Sequence, residues 1–487
     1  MDNCARYVEV TPTPTQIAIE KMGFYCFFHF GINTFTDREW GDGKDSPSLF
    51  CPSNLDTDDW CRAVASAGAK GVILTAKHHD GFCLWQTDTT DYSVRSSPWK
   101  DGKGDVVAML ADSCRKFGLK MGVYLSPWDR NSPKYGTDGY DDFYCAQLTE
   151  LLTRYGDMFT VWLDGACGSH LDGKPMQRYD FDRYYALIRR LQPNCAISNC
   201  GPDVRWVGNE AGVTRPSEWN VVPAALADPY KVAAASQSED APFETKLGAE
   251  DEDLGSRAVL ERCGELIWYP AEADVSIRPG WFFHTYQNRK VKSAEKLLSL
   301  WYKTVGGNCM LLLNVPPDRR GRIYEKDAAT LRELGERLKS AFAAKAECED
   351  ESLPSFEPAQ SYAVTRKFTS PQMVDKAVVA EDIRFSQRVE KFALYALSGG
   401  KESKVYEGTT IGHLKVALFE PTLCDGLKLE IASSRLEPHL ERFDAYLTDG
   451  KPHPKERFAA LKRWVTRLNY KMYVFKQELA KKRVKKS

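Results

Sequence analysis

Histidines and carboxylates fall at repeated positions in this sequence. His29 lies in the apolar run Phe24–Phe30, and His78, His79 and Asp80 follow the run Gly71–Ala76. Tyr124 sits at the end of Leu119–Leu125, and Asp164 closes Met158–Leu163 with Gly165 beside it. Imidazoles and carboxylates are the side chains that move protons near neutral pH, and a carboxylate can also act as a nucleophile. Each has a plainer reading. A lone histidine at a strand end is commonly a satisfied structural group, and Asp164 has the right type to cap the following turn. Adjacent side chains on a strand point to opposite faces, so His78 and His79 share a site only if the chain bends after Ala76. Chance placement would not repeat at four successive run ends.

Three more carboxylates compete for a role. Glu210 lies among Trp206, Gly208, Asn209 and Gly212 in a loop-like stretch, Glu272 follows Trp268-Tyr269-Pro270-Ala271, and Glu218 precedes Trp219. The plain reading of Glu210 is an exposed turn residue. His29, His78, His79 and Asp164 have the types of a three-histidine, one-carboxylate metal site. The first run carries no His-x-His pair, however, and the next histidine, His170, sits in a loop. No metal and no cofactor is expected.

These residues must be held by the elements around them. Apolar runs alternate with amphipathic stretches at helical period over residues 1–346. Helices are expected at Thr57–Gly68, Asp105–Phe117, Asp141–Tyr155, Phe181–Leu191, Ser293–Val305 and Glu325–Lys345. Strands are expected at the runs above and at Cys195–Ser198, Ile267–Tyr269 and Met310–Val315. Repeated β-then-α units predict an α/β fold, a (β/α)8-like (TIM-type) barrel, in which the run ends converge on one mouth. The alternative, a doubly wound sheet, lacks its glycine-rich fingerprint after the first strand, where Phe30-Gly31-Ile32-Asn33 stands. After the acidic stretch Glu347–Ser352 the runs become short and alternating, as at Lys391–Ala396 and Leu427–Ile431. Residues 347–487 are read as a C-terminal β-sandwich domain ending in a basic, helix-permissive tail, Arg457–Lys482.

Composition narrows the class. Lysine plus arginine number 66 and aspartate plus glutamate 67 in 487 residues, so no bulk positive field exists to draw a nucleic acid. No run of about 18 uncharged apolar residues appears, so no membrane partner is expected. Aromatic residues make up 12%, with 12 tryptophans, a content suited to stacking on sugars. The 14 cysteines form no Cys-x-x-Cys pair and are read as free thiols. The first residues show no basic-then-apolar leader, which predicts a cytoplasmic protein, or an extracellular or periplasmic one if a leader has been removed.

Together these segments resemble the α-L-fucosidases of glycoside hydrolase family 29. The resemblance is carried by Phe28-His29-Phe30-Gly31, Glu39-Trp40, Lys77-His78-His79-Asp80-Gly81-Phe82, Gly122-Val123-Tyr124-Leu125-Ser126-Pro127-Trp128, Trp162-Leu163-Asp164-Gly165 and Gly306-Gly307-Asn308 with Leu312-Leu313-Asn314. Arg205–Gly212, Trp268–Ile277 and Gly280-Trp281-Phe282 are similar to the subgroup that cleaves α-1,3/1,4-linked fucose in branched, Lewis-type glycans. The resemblance implies a retaining exo-α-L-fucosidase acting on a fucosylated oligosaccharide or glycoconjugate. Asp164 is then the nucleophile and Glu210 the acid/base, with Glu272 in reserve. His29, Glu39, Trp40, His78, His79, Tyr124, Trp162, Arg205 and Trp281 are then the sugar-holding residues. Two other readings compete: a fucosidase of broader or α-1,2 preference that uses Glu272, and a non-catalytic fucose-binding protein.

Overall fold

A computed structural model describes residues 4–168, 177–230, 246–454 and 465. The N-terminal part contains β1 (Phe24–Phe28), β2 (Gly71–Lys77), β3 (Lys120–Leu125), β4 (Met158–Leu163), β5 (Ala196–Asn199) and β6 (Arg205–Trp206). It continues with β7 (Val221–Pro223), β8 (Leu266–Trp268), β9 (Ala271–Ser276) and β10 (Met310–Asn314). Eight of these form one sheet in the order β5-β4-β3-β2-β1-β10-β9-β6. Every ladder in it is parallel. A parallel bridge between Ser198 and Val204 brings the two ends of the sheet together into a nearly closed barrel.

Strands buried on both faces read as unbroken apolar runs, which is why β1 and β2 are legible: all their residues are buried. One face points into the barrel, where Tyr25, Phe27, Ile73, Tyr124, Trp162, Met310 and Leu312 form a core of their own. The other face packs on helices begun by side-chain caps. Asp56 accepts from Asp59 N–H before Thr57–Ser66, Asp105 from Ala108 N–H before Val106–Phe117, and Asp180 from Arg183 N–H before Phe181–Leu191. Each cap satisfies an amide that the helix leaves without a partner. Helices Tyr140–Arg154, Ala294–Lys303 and Glu325–Ala341 complete the outer layer.

The regular rhythm fails in one place. Among the described residues no helix separates β5 from β6, and the stretch from β6 to β9 holds the antiparallel pair β7–β8 and the short helix Arg257–Leu260. Ile267–Tyr269, expected as a sheet strand, falls on β8 and lies outside the barrel. The barrel strand is β9, whose alternation of Glu272, Asp274 and Ser276 with small or apolar residues hides it from a search for apolar runs.

The C-terminal sheet is antiparallel, in the order β13-β12-β14-β11-β15. Its members are β11 (Tyr362–Glu381), β12 (Val389–Ser398), β13 (Lys401–Gly408), β14 (Lys415–Ser434) and β15 (Leu440–Leu447). β11 and β14 are longer than the short runs predict, because register breaks between Lys367 and Gln372 and between Val374 and Lys376 let them bend and serve both halves. The halves close over Phe392, Leu394, Leu427, Leu429, Ile431 and Phe443 in a sandwich-like core. The tail Arg457–Lys482 lies outside the described residues, except Val465. Among the described residues no helix is long and apolar enough to cross a membrane. All 14 cysteines are free thiols.

Candidate active site

Asp164 is the first residue past β4, and its carboxylate is held at both oxygens. Tyr124, at the end of β3, donates its hydroxyl to Oδ2 at 2.8 Å, and the Ala166 N–H donates to Oδ1 at 2.8 Å. The strand end is itself fixed. Asn199, in the left-handed region at φ 66°, donates its side-chain amide to the Leu163 carbonyl at 2.9 Å, and Cys200 N–H donates to the same carbonyl. The Asp164 side chain keeps 25% of its surface open, so a fixed anion faces solvent at the barrel mouth.

One imidazole, His79, approaches it, and two more, His29 and His78, lie beside Tyr124. His79 Nδ1 lies 2.7 Å from Ser126 Oγ, and Ser126 donates its hydroxyl hydrogen to the Trp128 carbonyl at 2.8 Å. Ser126 therefore accepts, His79 carries its hydrogen on Nδ1, and the neutral ring turns an Nε2 lone pair toward the cavity, 3.8 Å from Asp164 Oδ2. The same logic holds for His29. Asn314, at the end of β10, donates its amide hydrogens to Ser276 Oγ at 2.9 Å and the Trp281 carbonyl at 2.8 Å, so its Oδ1 accepts from His29 Nδ1 at 2.8 Å. Burial pushes His29 down to about 3, His78 well below the usual histidine range, and His79 down as well. Neutral imidazoles offering lone pairs suit a ligand that presents hydroxyl hydrogens. His78 Nδ1 is buried with no hydrogen-bond partner among the described residues.

Aromatic faces line the remainder. Tyr124 stacks on Trp162 at 5.6 Å and on His78 at 5.8 Å, Trp281 lies 5.1 Å from His29, and Phe282 meets His78 edge-on at 5.0 Å. Trp40 is 48% exposed and meets His79 and Trp128 edge-on at 5.8 and 5.9 Å, a rim position open to a ligand.

Glu210 comes from the loop after β6. Asn209 staples that loop: its Oδ1 accepts from the N–H groups of Ala211 at 3.1 Å and Val213 at 3.0 Å, and its amide donates to the Val213 carbonyl. Ala211 bridges to Val275 of β9. Gly208 has φ 100°, and a Cβ there would lie 2.3 Å from the Ala249 carbonyl oxygen, so the turn requires glycine. The Trp281 indole N–H donates to Glu210 Oε2 at 3.4 Å. The Glu210 carboxyl stays solvent-accessible inside a crowded cleft. Its pKa is pushed up by that crowding, drawn down by the Trp281 N–H, and pushed up again by the charges of Asp164 and Glu39.

Glu39 Oε2 accepts from Trp281 N–H at 2.8 Å, and Oε1 lies 2.6 Å from His284 Nε2. The other expected residues lie elsewhere. Arg205 is buried and donates to Glu218, to the Tyr269 carbonyl at 2.9 Å and to the Trp219 carbonyl at 3.0 Å. Its charge is spent on a carboxylate it shares with Arg215, which corrects its expected place on the sugar. Glu272 is 2% exposed inside the barrel, accepting from Trp162 Nε1 at 2.7 Å and from the Tyr25 hydroxyl. Burial raises it to about 7, but it sits below the mouth with both oxygens engaged. Trp162 thus faces the cavity with its ring while its N–H points down at Glu272.

Sequence reasoning missed Ser126, His284 and Asn314 as site residues. Asn314 carried the same signal as Asp164, a polar residue closing an apolar run. Ser126, which follows the run Leu119–Leu125, carried it too, whereas His284 had none, because its carboxylate partners are remote in sequence. Among the described residues no three His, Cys, Asp or Glu side chains are arranged to hold a metal ion.

A parallel barrel with an oriented aspartate, a glutamate of raised pKa, acceptor imidazoles and aromatic walls at its mouth defines a glycoside hydrolase. The sequence profile described as α-L-fucosidase matches residues 29–341. α-L-Fucosidase 1 of Arabidopsis thaliana is 37% identical over 467 residues, covering 90% of this chain and 87% of the relative. A Bacteroides ovatus crystal structure assigned to the α-L-fucosidases is 44% identical, with a TM-score of 0.84 over 92% of this chain and 76% of that one. A Ruminococcus gnavus GH29 fucosidase, solved in complex with fucose, is 27% identical, with a TM-score of 0.77 over 92% of this chain and 96% of that one. The chain belongs to the α-L-fucosidase family, glycoside hydrolase family 29.

Proposed function

We propose that the enzyme is a retaining exo-α-L-fucosidase that releases terminal fucose from α-1,3/1,4-fucosylated, Lewis-type glycans. Asp164 attacks the anomeric carbon while Glu210 gives its proton to the departing glycosidic oxygen. The product is a fucosyl ester on Asp164. Glu210, now a carboxylate, takes a proton from water, the water attacks the anomeric carbon, and Asp164 leaves. The observation that carries this reading is two unlike acids at one mouth: Tyr124 and the Ala166 N–H hold the Asp164 carboxylate at both oxygens, while crowding in its cleft, and after it the charge of Asp164, raises the hold of Glu210 on its proton. One acid is thereby kept for donation beside one kept for attack.

The remaining residues fit a deoxyhexose. His29, His78 and His79 offer lone pairs to sugar hydroxyls, Glu39 offers a carboxylate, and the faces of Trp40, Tyr124, Trp162 and Trp281 meet the methyl group and the ring. The linkage preference rests on the segments Arg205–Gly212, Trp268–Ile277 and Gly280–Phe282, two of which supply Glu210 and Trp281.

Proton NMR of the first-formed sugar tests the stereochemistry. An α-fucose product supports retention, and β-fucose overturns it. A panel of branched α-1,3/1,4- and linear α-1,2-fucosylated trisaccharides tests the linkage. Faster release from the branched set is expected, and a preference for the linear set overturns the linkage reading.

A further inference from the structure

His284 is 1% exposed and stands between two carboxylates. Its Nδ1 lies 2.7 Å from Asp37 Oδ1, and its Nε2 lies 2.6 Å from Glu39 Oε1. Ionised carboxylates only accept, so both contacts are hydrogen bonds only when both ring nitrogens carry hydrogen. Asp37 takes the left-handed conformation, at φ 60°, as the residue that ends the helix Ile32–Thr36, its N–H donating to the Asn33 carbonyl. A non-glycine residue there marks a backbone that its surroundings over-determine.

The clamp joins two loops that meet over the mouth. One leaves β1 and carries Asp37, Glu39 and Trp40. The other leaves β9 and carries Gly280, Trp281, Phe282 and His284. Glu39 Oε2 takes the Trp281 N–H, and the Trp281 indole reaches Glu210. The space is closed to alternatives: a Cβ on Gly280 would stand 2.0 Å from Glu39 Oε1. The backbone of the second loop is anchored from below, where the Arg278 guanidinium, in a fully buried ion pair with Asp327, also donates to the His284 carbonyl at 3.5 Å.

We propose that His284 is a positioning residue for fucoside hydrolysis. Through Nε2 it fixes the Glu39 carboxylate that faces the sugar, and through the shared loop it fixes the Trp281 indole against Glu210. This rests on the roles given above to Glu39 and Glu210. The bond to Glu39 carries the effect, and the bond to Asp37 orients the ring.

Two polar replacements separate the bonds. His284→Gln places an amide donor near the Nε2 position and keeps a hydrogen bond to Glu39. His284→Asn places one near Nδ1 and keeps the bond to Asp37. The measurements are fucose binding by calorimetry, kcat and KM on an aryl fucoside, and thermal midpoint. Gln is expected to bind fucose within about 3-fold of wild type, and Asn to bind it about 10-fold or more weakly with kcat/KM down about 100-fold, as befits losing a charge-assisted hydrogen bond. A merely structural role predicts similar losses of midpoint and active fraction in both, with kcat/KM per active enzyme unchanged, and that result overturns the proposal. Glu39→Gln runs in parallel. If it binds fucose like wild type, the role of Glu39 fails and the proposal with it. If it loses fucose while the two His284 variants behave alike, the proposal alone fails.

Discussion

The Tyr124 hydroxyl lies 2.8 Å from Asp164 Oδ2 and donates to it, while the Ala166 N–H holds the other oxygen. Two donors on two oxygens fix the rotation of the carboxylate. Each oxygen retains a lone pair, so the anion is oriented without being neutralised.

Asp164→Asn keeps the shape and the acceptor for Tyr124 but removes the charge. The role of nucleophile predicts a fall in kcat of at least about 10³-fold on an aryl fucoside, with circular dichroism and thermal midpoint close to wild type. Near-wild-type turnover would remove Asp164 from the mechanism.

Glu210→Ala removes the proposed proton donor and leaves space in the cleft. An activated aryl fucoside needs little protonation, so its first step survives and its second slows. Added azide then attacks the anomeric carbon of the fucosyl ester and displaces Asp164, restoring turnover and giving an α-fucosyl azide. Rescue seen in Glu272→Ala and absent in Glu210→Ala would transfer the role to Glu272.

The Trp281 indole N–H favours the ionised form of Glu210, whose pKa is raised by the cleft and by Asp164 and Glu39. Activity that depends on protonated Glu210 falls as pH rises through that pKa. Trp281→Phe deletes the donor and lets the pKa climb further. The alkaline limb of kcat/KM is expected at higher pH in the variant than in wild type. A limb displaced to lower pH contradicts this electrostatic account.

Glu272 bears on stability. Burial raises it from the ordinary glutamate value of 4.5 to about 7. The folded chain holds that proton more tightly than the unfolded one, so stability falls as pH rises from about 4.5 to about 7 and then levels off, by about 3 kcal/mol if Glu272 acts alone. Glu272→Gln carries no such proton. Urea unfolding at pH 5 and pH 8 is expected to show a smaller loss for the variant than for wild type.

Much of the fold is legible because parallel strands buried on both faces have little choice of residue. β1, β2, β3, β4 and β10 stand out as apolar runs, and the polar residue closing a run marks the mouth. β9 is hidden because its inward face carries two carboxylates, and β6 because it is two residues long. Arg205 is misleading for a physical reason: its partner Glu218 is 13 positions away, and nothing local distinguishes a buried ion pair from a ligand contact. His284 is invisible for a related one, since its carboxylates lie 245 and 247 positions upstream.

The meeting of β5 and β6 at Ser198 and Val204 makes the ring of strands mechanically lopsided. Asp164 follows β4, which is laddered along both sides, whereas Glu210 follows the two-residue strand beside the join. Amide exchange should be slowest around the aspartate and fastest along the 200–213 turn. In the proposed mechanism the attacking group thus sits on the fully laddered arc of the hoop and the proton carrier on the short-laddered one, where a leaving group of differing bulk would be met.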